Sequence, residues 1–146
     1  MDKICSFFGH RQIKDREKVK EKVEAVVLRL VERGFTTFLF GGFGEFDELC
    51  HEVVSDLKKS NPKIQRVYCL IDEKYLREEK RPRYLLDCDY EKFVYFPLAF
   101  DYWYTRIYYR NCEMINRSDC VIFYAETRMD SGAYKALQYA KRGKKE

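Results

Sequence analysis

No stretch of this 146-residue chain is an unbroken apolar run of the roughly eighteen residues that a membrane-crossing helix needs, which excludes a helical span. No C-x-x-C pair occurs among the six cysteines, Cys5, Cys50, Cys69, Cys88, Cys112 and Cys120, and none stands at a zinc-type spacing from either of the two histidines. Three of them, Cys5, Cys69 and Cys120, sit inside apolar runs, so the expectation is buried free thiols in a reducing compartment, with no metal. The opening MDKICSFFGH is too short in apolar residues for a signal peptide, and a cytoplasmic protein with nothing cleaved is expected. There is no block of one charge sign either. The 28 basic and 24 acidic residues are mostly interspersed, and a net charge of +4 argues only weakly for a nucleic-acid partner. The basic clusters, Lys80 to Arg83 and Lys141 to Lys145, read as solvated faces. Repeats and low-complexity linkers are missing as well. The length and a 46% hydrophobic content then leave a single globular domain spanning residues 1–146, with enough chain to bury a core.

What is present is an alternation of strand-like and helix-like stretches. Lys3 to Phe8 reads as a first strand, followed by the turn Gly9-His10-Arg11. Lys14 to Arg33 spaces Val19, Val23, Val26, Val27 and Leu30 along one helical face and stops at Gly34. The stretch Phe35 to Asp47, FTTFLFGGFGEFD, reads as strand, glycine turn and helix start. The helix, Glu45 to Lys59, has an inner stripe of Leu49, Val53, Val54 and Leu57 and ends at Asn61-Pro62. Arg66 to Ile71 is a third strand. Thr105 to Arg117 is a helix with Ile107, Cys112 and Ile115 on its apolar face, and Cys120 to Tyr124 is a continuous apolar run of the kind found in central parallel strands. Ala133 to Lys141 is a last helix, and Gly143-Lys144-Lys145 looks like a turn toward a further strand. The fold class expected is α/β: a Rossmann-like, doubly wound, mostly parallel sheet of about five strands with helices on both faces. The alternation breaks at about 72–104, an aromatic-rich insertion holding Tyr90, Phe93, Tyr95, Phe96, Phe100, Tyr102, Trp103 and Tyr104. Those rings either stack on a ligand or form a satellite core or subunit contact.

The glycine turn at Gly41-Gly42-Phe43-Gly44 lets backbone approach a ligand closely while the following helix aims its unpaired N–H groups and positive dipole end at the same place, so an anion is expected there. No Lys-Ser/Thr follows Gly44 and the spacing is not G-x-G-x-x-G, which rules out both a Walker loop and an ordinary dinucleotide fingerprint. Glu45 and Asp47 either accept hydrogen bonds from ribose hydroxyls or serve the helix start. A second anion-receptive turn precedes the last helix at Met129 to Gly132.

Four motifs in order, CSFFGHR at 5–11, GGFGEFD at 41–47, RNCEMINRSDCVIFY at 110–124 and DSGAYKALQYAKRGK at 130–144, resemble the SLOG superfamily, the Rossmann-like group of DprA, LOG and YpsA-type proteins, and most closely its YpsA-like branch. The resemblance covers nearly the whole chain. It implies a pocket for a nucleotide-derived ligand lined by Gly9, His10 and Arg11, by Gly41, Gly42, Phe43, Gly44, Glu45 and Asp47, by Arg110 and Asn111, and by Ser131, Gly132 and Ala133. Arg11 and Arg110 offer planar forks for phosphate or carboxylate, and Asn111 both donates and accepts. The plainer alternative has Arg110 paired with Asp119 or another acid, and His10 capping its turn.

Relatives in this wider group cleave N-glycosidic bonds with a carboxylate beside the anomeric carbon. In the deoxyribosyltransferase-type pattern, D-x-G is followed by a Glu four residues after the glycine. Laid on Asp130-Ser131-Gly132, that place is Ala136, while the pattern's later alanine matches Ala140. The LOG-type acids are missing from Ala133 to Gln138 as well. The reading is therefore a binder without turnover and without a cofactor, a sensor or a sequestering protein for an ADP-ribose-like compound, a cyclic nucleotide or an NAD fragment; a viral sponge for an immune signal is one such use. An N-glycosidase acting through Asp130 or Glu45 is the first alternative, and a single-strand nucleic-acid binder using the basic tail is the second. A homodimer or higher homo-oligomer is expected, since relatives often pair through helices beside the pocket.

Overall fold

The computed structural model describes residues 2–41, 44–86, 89–97, 103–124 and 132–143. Five strands form one sheet, β1 (Lys3–Gly9), β2 (Phe35–Phe40), β3 (Gln65–Leu70), β4 (Lys92–Tyr95) and β5 (Cys120–Tyr124). Their order across the sheet is β4-β3-β2-β1-β5 and every pairing is parallel. Parallel neighbours need crossovers, and the chain supplies them as α1 (Arg16–Glu32), α2 (Glu45–Lys58), a short α3 (Arg83–Leu86) and α4 (Trp103–Arg117), with α5 (Gly132–Arg142) following the last strand. The path steps from β1 to β4 in one direction, then crosses back over the sheet to place β5 on the other side of β1. α1 and α2 pack together on one face, α4 and α5 on the other, as the doubly wound class requires.

Burial on both faces explains the strand sequences. Along β1, Cys5 and Phe7 enter the core beneath α1 and α2, while Phe8 enters the core beneath α4 and α5. In β2, Phe38 and Phe40 face the first core and Leu39 the second; in β3, Tyr68 and Leu70 face the first, Val67 and Cys69 the second. Phe7 stacks against Phe40 at 5.2 Å between ring centroids. The helical stripes behave likewise: Val23, Val27 and Leu30 of α1 and Leu49, Val53 and Val54 of α2 are buried, with Val19, Val26 and Leu57 packed at the margin. The polar residue of β1, Ser6, is fully buried beside Ser118. The two hydroxyl oxygens lie 2.5 Å apart, and both are within reach of the Met114 carbonyl, Ser118 Oγ at 2.7 Å and Ser6 Oγ at 3.4 Å.

Two expectations are revised. The aromatic-rich segment is not outside the sheet: it supplies β4, the edge strand, after two 3-10 turns at Glu73–Leu76 and Glu78–Lys80. Four of its rings are absorbed by the fold. Tyr90, Phe93 and Tyr95 pack on the first core and Phe96 on the second, and Arg81 lies 3.8 Å over the Phe93 ring. Phe100 and Tyr102 lie outside the described residues. The second revision concerns β5, which was expected to be central and is the outermost strand on its side among the described residues. Its apolar run reflects cover by α5, and Ile122, Phe123 and Tyr124 are only half-buried. The suggested turn after Gly143 falls on residues 144–146, outside the described set.

Candidate functional site

The turns that follow β1 and β2 interlock at the carboxyl edge of the sheet. The Glu45 amide, first in α2, donates to the Arg11 carbonyl at 2.8 Å. Gly44 has φ +108°, and a Cβ there would lie 2.5 Å from Arg11 Cα, so both backbone conformation and space demand glycine. A Cβ on Gly9 would lie 2.3 Å from the Phe46 ring, and one on Gly41 would lie 2.9 Å from the Arg110 guanidinium carbon. The glycines thus let three partners close in: the Arg11 backbone, the Phe46 ring and a buried cation. Gly42 and Phe43 lie outside the described residues.

Arg110 and Asn111 are brought to this edge by α4, but from behind. Arg110 is 3% exposed; its Nη1 donates to the Cys69 carbonyl at 3.2 Å, and its Nε and Nη2 both donate to Asn111 Oδ1, at 3.2 and 2.9 Å. The guanidinium therefore buttresses Gly41 and the end of β3, and three of its donors are directed at protein. The suggested pairing with Asp119 is not made. Asp119 lies at the opposite end of the sheet, where its carboxylate accepts from the Ile4 amide at 2.9 Å and its own amide donates to the Ile4 carbonyl at 2.7 Å. Burial pushes the Cys69 thiol up to about 12, against the pull of Arg110 and Arg117, and burial raises Cys5 and Cys50 well above the ordinary thiol value. These thiols are inert at neutral pH.

Arg11 is the opposite case. Its side chain is exposed and makes no hydrogen bond or ion pair among the described residues. Glu45 is exposed beside it, and with Asp47 and Glu48 it places three carboxylates in the first turn of α2, whose cap residue Gly44 contributes no side chain. Those acids complement the helix dipole. They also make the mouth of α2 a poor place for a phosphate and a better one for hydroxyl donors.

Two residues at this edge were not anticipated. Phe46 closes on Gly9, and Tyr124 ties the last strand to the first loop. The Tyr124 carbonyl accepts from the His10 amide at 3.2 Å, its hydroxyl accepts from the Lys14 amide at 3.2 Å, and its ring stacks on Phe46 at 5.6 Å and stands edge-on to His10 at 6.0 Å. His10 is thus held through its backbone and ring. On the far side of β1, Gly132 and Ala133 open α5, while Asp130 and Ser131 lie outside the described residues. Ala136 and Ala140 are 1% and 4% exposed and belong to the second core with Met114, Ile115 and Val121. The position that would carry the glycosidase-type acid therefore points into packed side chains.

Among the described residues no group of three or more His, Cys, Asp or Glu is placed to hold a metal ion, and no helix is long and apolar enough to cross a membrane. A groove of about 430 Å³ runs between α4 and α5, lined by Tyr108, Ile115, Asn116, Tyr139 and Arg142, and contains none of the expected site residues. Compared with models of known protein families and with curated proteins, the chain finds no match.

Proposed function

We propose that the chain is a SLOG-type binding domain that captures a nucleotide-derived small molecule, an ADP-ribose-like compound, a cyclic nucleotide or an NAD fragment, and returns it unchanged. The observation that carries this reading is the interlock of the β1 and β2 turns, through the 2.8 Å bond from Glu45 to Arg11, beside the point where the strand order reverses between β1 and β5. Ligands of open parallel sheets sit at such a switch point because the loops leave in opposite directions there and open a crevice. In the proposed complex Arg11 takes the phosphate and Glu45 the ribose hydroxyls. Binding without turnover is supported by the burial of Ala136, since a residue inside the core has no carboxylate to place against an anomeric carbon.

The test is incubation with a panel of nucleotides, ADP-ribose isomers and cyclic signals, followed by thermal shift and by chromatography of the recovered ligand. A ligand that raises the melting temperature and comes back intact is the expected result. No shift with any member removes the reading.

One observation favours a second reading, an N-glycosidase on a nucleoside monophosphate: the Glu45 carboxylate is exposed at the rim of the same crevice, within reach of the Arg16 charge. That reading requires free base in the recovered mixture and its loss in Glu45→Gln with binding retained.

A further inference from the structure

We propose that Tyr124 is the positioning residue of this crevice, a clasp that holds the segment from His10 to Asp15 so that Arg11 is presented beside the Gly44 turn. The segment runs over the end of the sheet between Gly9 and the start of α1, and its residues are exposed apart from His10 and Ile13. Among the described residues, two of its backbone hydrogen bonds end on Tyr124: His10 N–H on the carbonyl and Lys14 N–H on the phenolic oxygen. Another is the bond from Glu45 to Arg11. Asp15 then takes φ 52°, a left-handed conformation uncommon for a residue other than glycine, so the exit of the segment is bent into a shape that surrounding contacts must maintain.

The clasp is packed against the core: its ring stacks on Phe46 at 16° between planes, and Phe46 is 2% exposed beneath Gly9. One side chain thus links three elements: β5 through its own backbone, the β1 turn through Lys14 and His10, and the first turn of α2 through Phe46. The role concerns placement and includes no chemistry at Tyr124. What the crevice binds rests on the functional reading above; the clasp does not.

The experiment is hydrogen exchange of wild type and Tyr124→Phe, with the affinity of each for ADP-ribose measured by calorimetry. Loss of the hydroxyl alone is expected to speed exchange of the Lys14 amide by roughly threefold to tenfold, the size of one net hydrogen bond, with the His10 amide unchanged because its acceptor is a backbone carbonyl. ADP-ribose affinity is expected to weaken by about the same factor. Tyr139→Phe, which removes a hydroxyl bonded to Asn116 Oδ1 at 2.8 Å away from the crevice, is expected to leave both readings at wild-type values. Unchanged Lys14 exchange overturns the clasp. Faster exchange with wild-type affinity overturns the positioning role. A wild-type protein that ignores ADP-ribose and the rest of the ligand panel sinks the functional reading and the positioning role with it, while the Lys14 amide still decides the clasp.

Discussion

The carboxyl edge around β1 and β2 and the aromatic edge around β4 are both rich in rings and arginines, yet they use them in opposite ways. At the aromatic edge the cations are consumed by the fold. Arg66 forms a two-pronged pair with Glu91, at 3.0 and 2.7 Å, and donates to Ser55 at 3.0 Å; Arg81 covers the Phe93 ring and donates to the carbonyls of Tyr75 and Leu76. At the glycine edge Arg110 is consumed in the same manner, but Arg11 is left exposed beside Gly44. Density of aromatic and basic residues therefore marks cohesion in this protein. An exposed cation that bonds to no other described residue marks the candidate site.

The sharpest way to break that distinction is to force the interlocked turns apart. Gly44→Ala sets a Cβ against the Arg11 backbone and strains a positive φ, and is expected to cost about 3 kcal/mol or more, read as a lowered urea midpoint. Arg110→Met comes next. It leaves the Cys69 carbonyl and Asn111 Oδ1 short of donors in a buried setting, with an expected loss of about 2 kcal/mol. Glu91→Gln at the other edge is expected to cost under about 1 kcal/mol, and to leave ligand affinity untouched. Although burial pushes the Glu91 carboxyl up, the bonds from Arg66 outweigh it and hold the group below its ordinary value. Its contribution is therefore present above the ordinary carboxylate pKa of about 4.3 and disappears as pH falls through the lowered one, so variant and wild type should converge in acid melts. Smallest in stability is Arg11→Ala, within about 0.5 kcal/mol of wild type, but with ligand affinity down about tenfold. Equal ligand effects from Arg11→Ala and Glu91→Gln would erase the contrast between the two edges.

The elements with a clean period were legible from residues alone. α2 was placed to within a residue because Leu49, Val53 and Val54 recur at helical spacing after a glycine turn, and β1 because its apolar run stops at Gly9. β4 was not found, since four residues, Lys92 to Tyr95, sit among aromatic neighbours that blur any period of two. The place of β5 was misjudged for a different reason. An apolar run reports that both faces of a strand are covered and says nothing about whether both edges are paired. At the site, the glycines announced close approach, but what approaches was hidden. Phe46 lies within the same motif as Gly44 yet closes on Gly9, and Tyr124 reaches Lys14 across 110 positions of chain. Arg110 was singled out by type, while its burial behind Gly41 depends on how α4 lies on the sheet.

The long return from β4 to β5 also bears on the clasp. β1 to β4 pair with sequence neighbours, whereas β5 must find β1 from the far end of the chain, as the bond between Ile4 and Asp119, 115 residues apart, records. Such pairings bear the largest loop-closure entropy and set the pace of folding. Tyr124 belongs to that strand, so a sheet of β1 to β4 alone has no clasped loop, and the clasp depends on the most distant pairing in the chain.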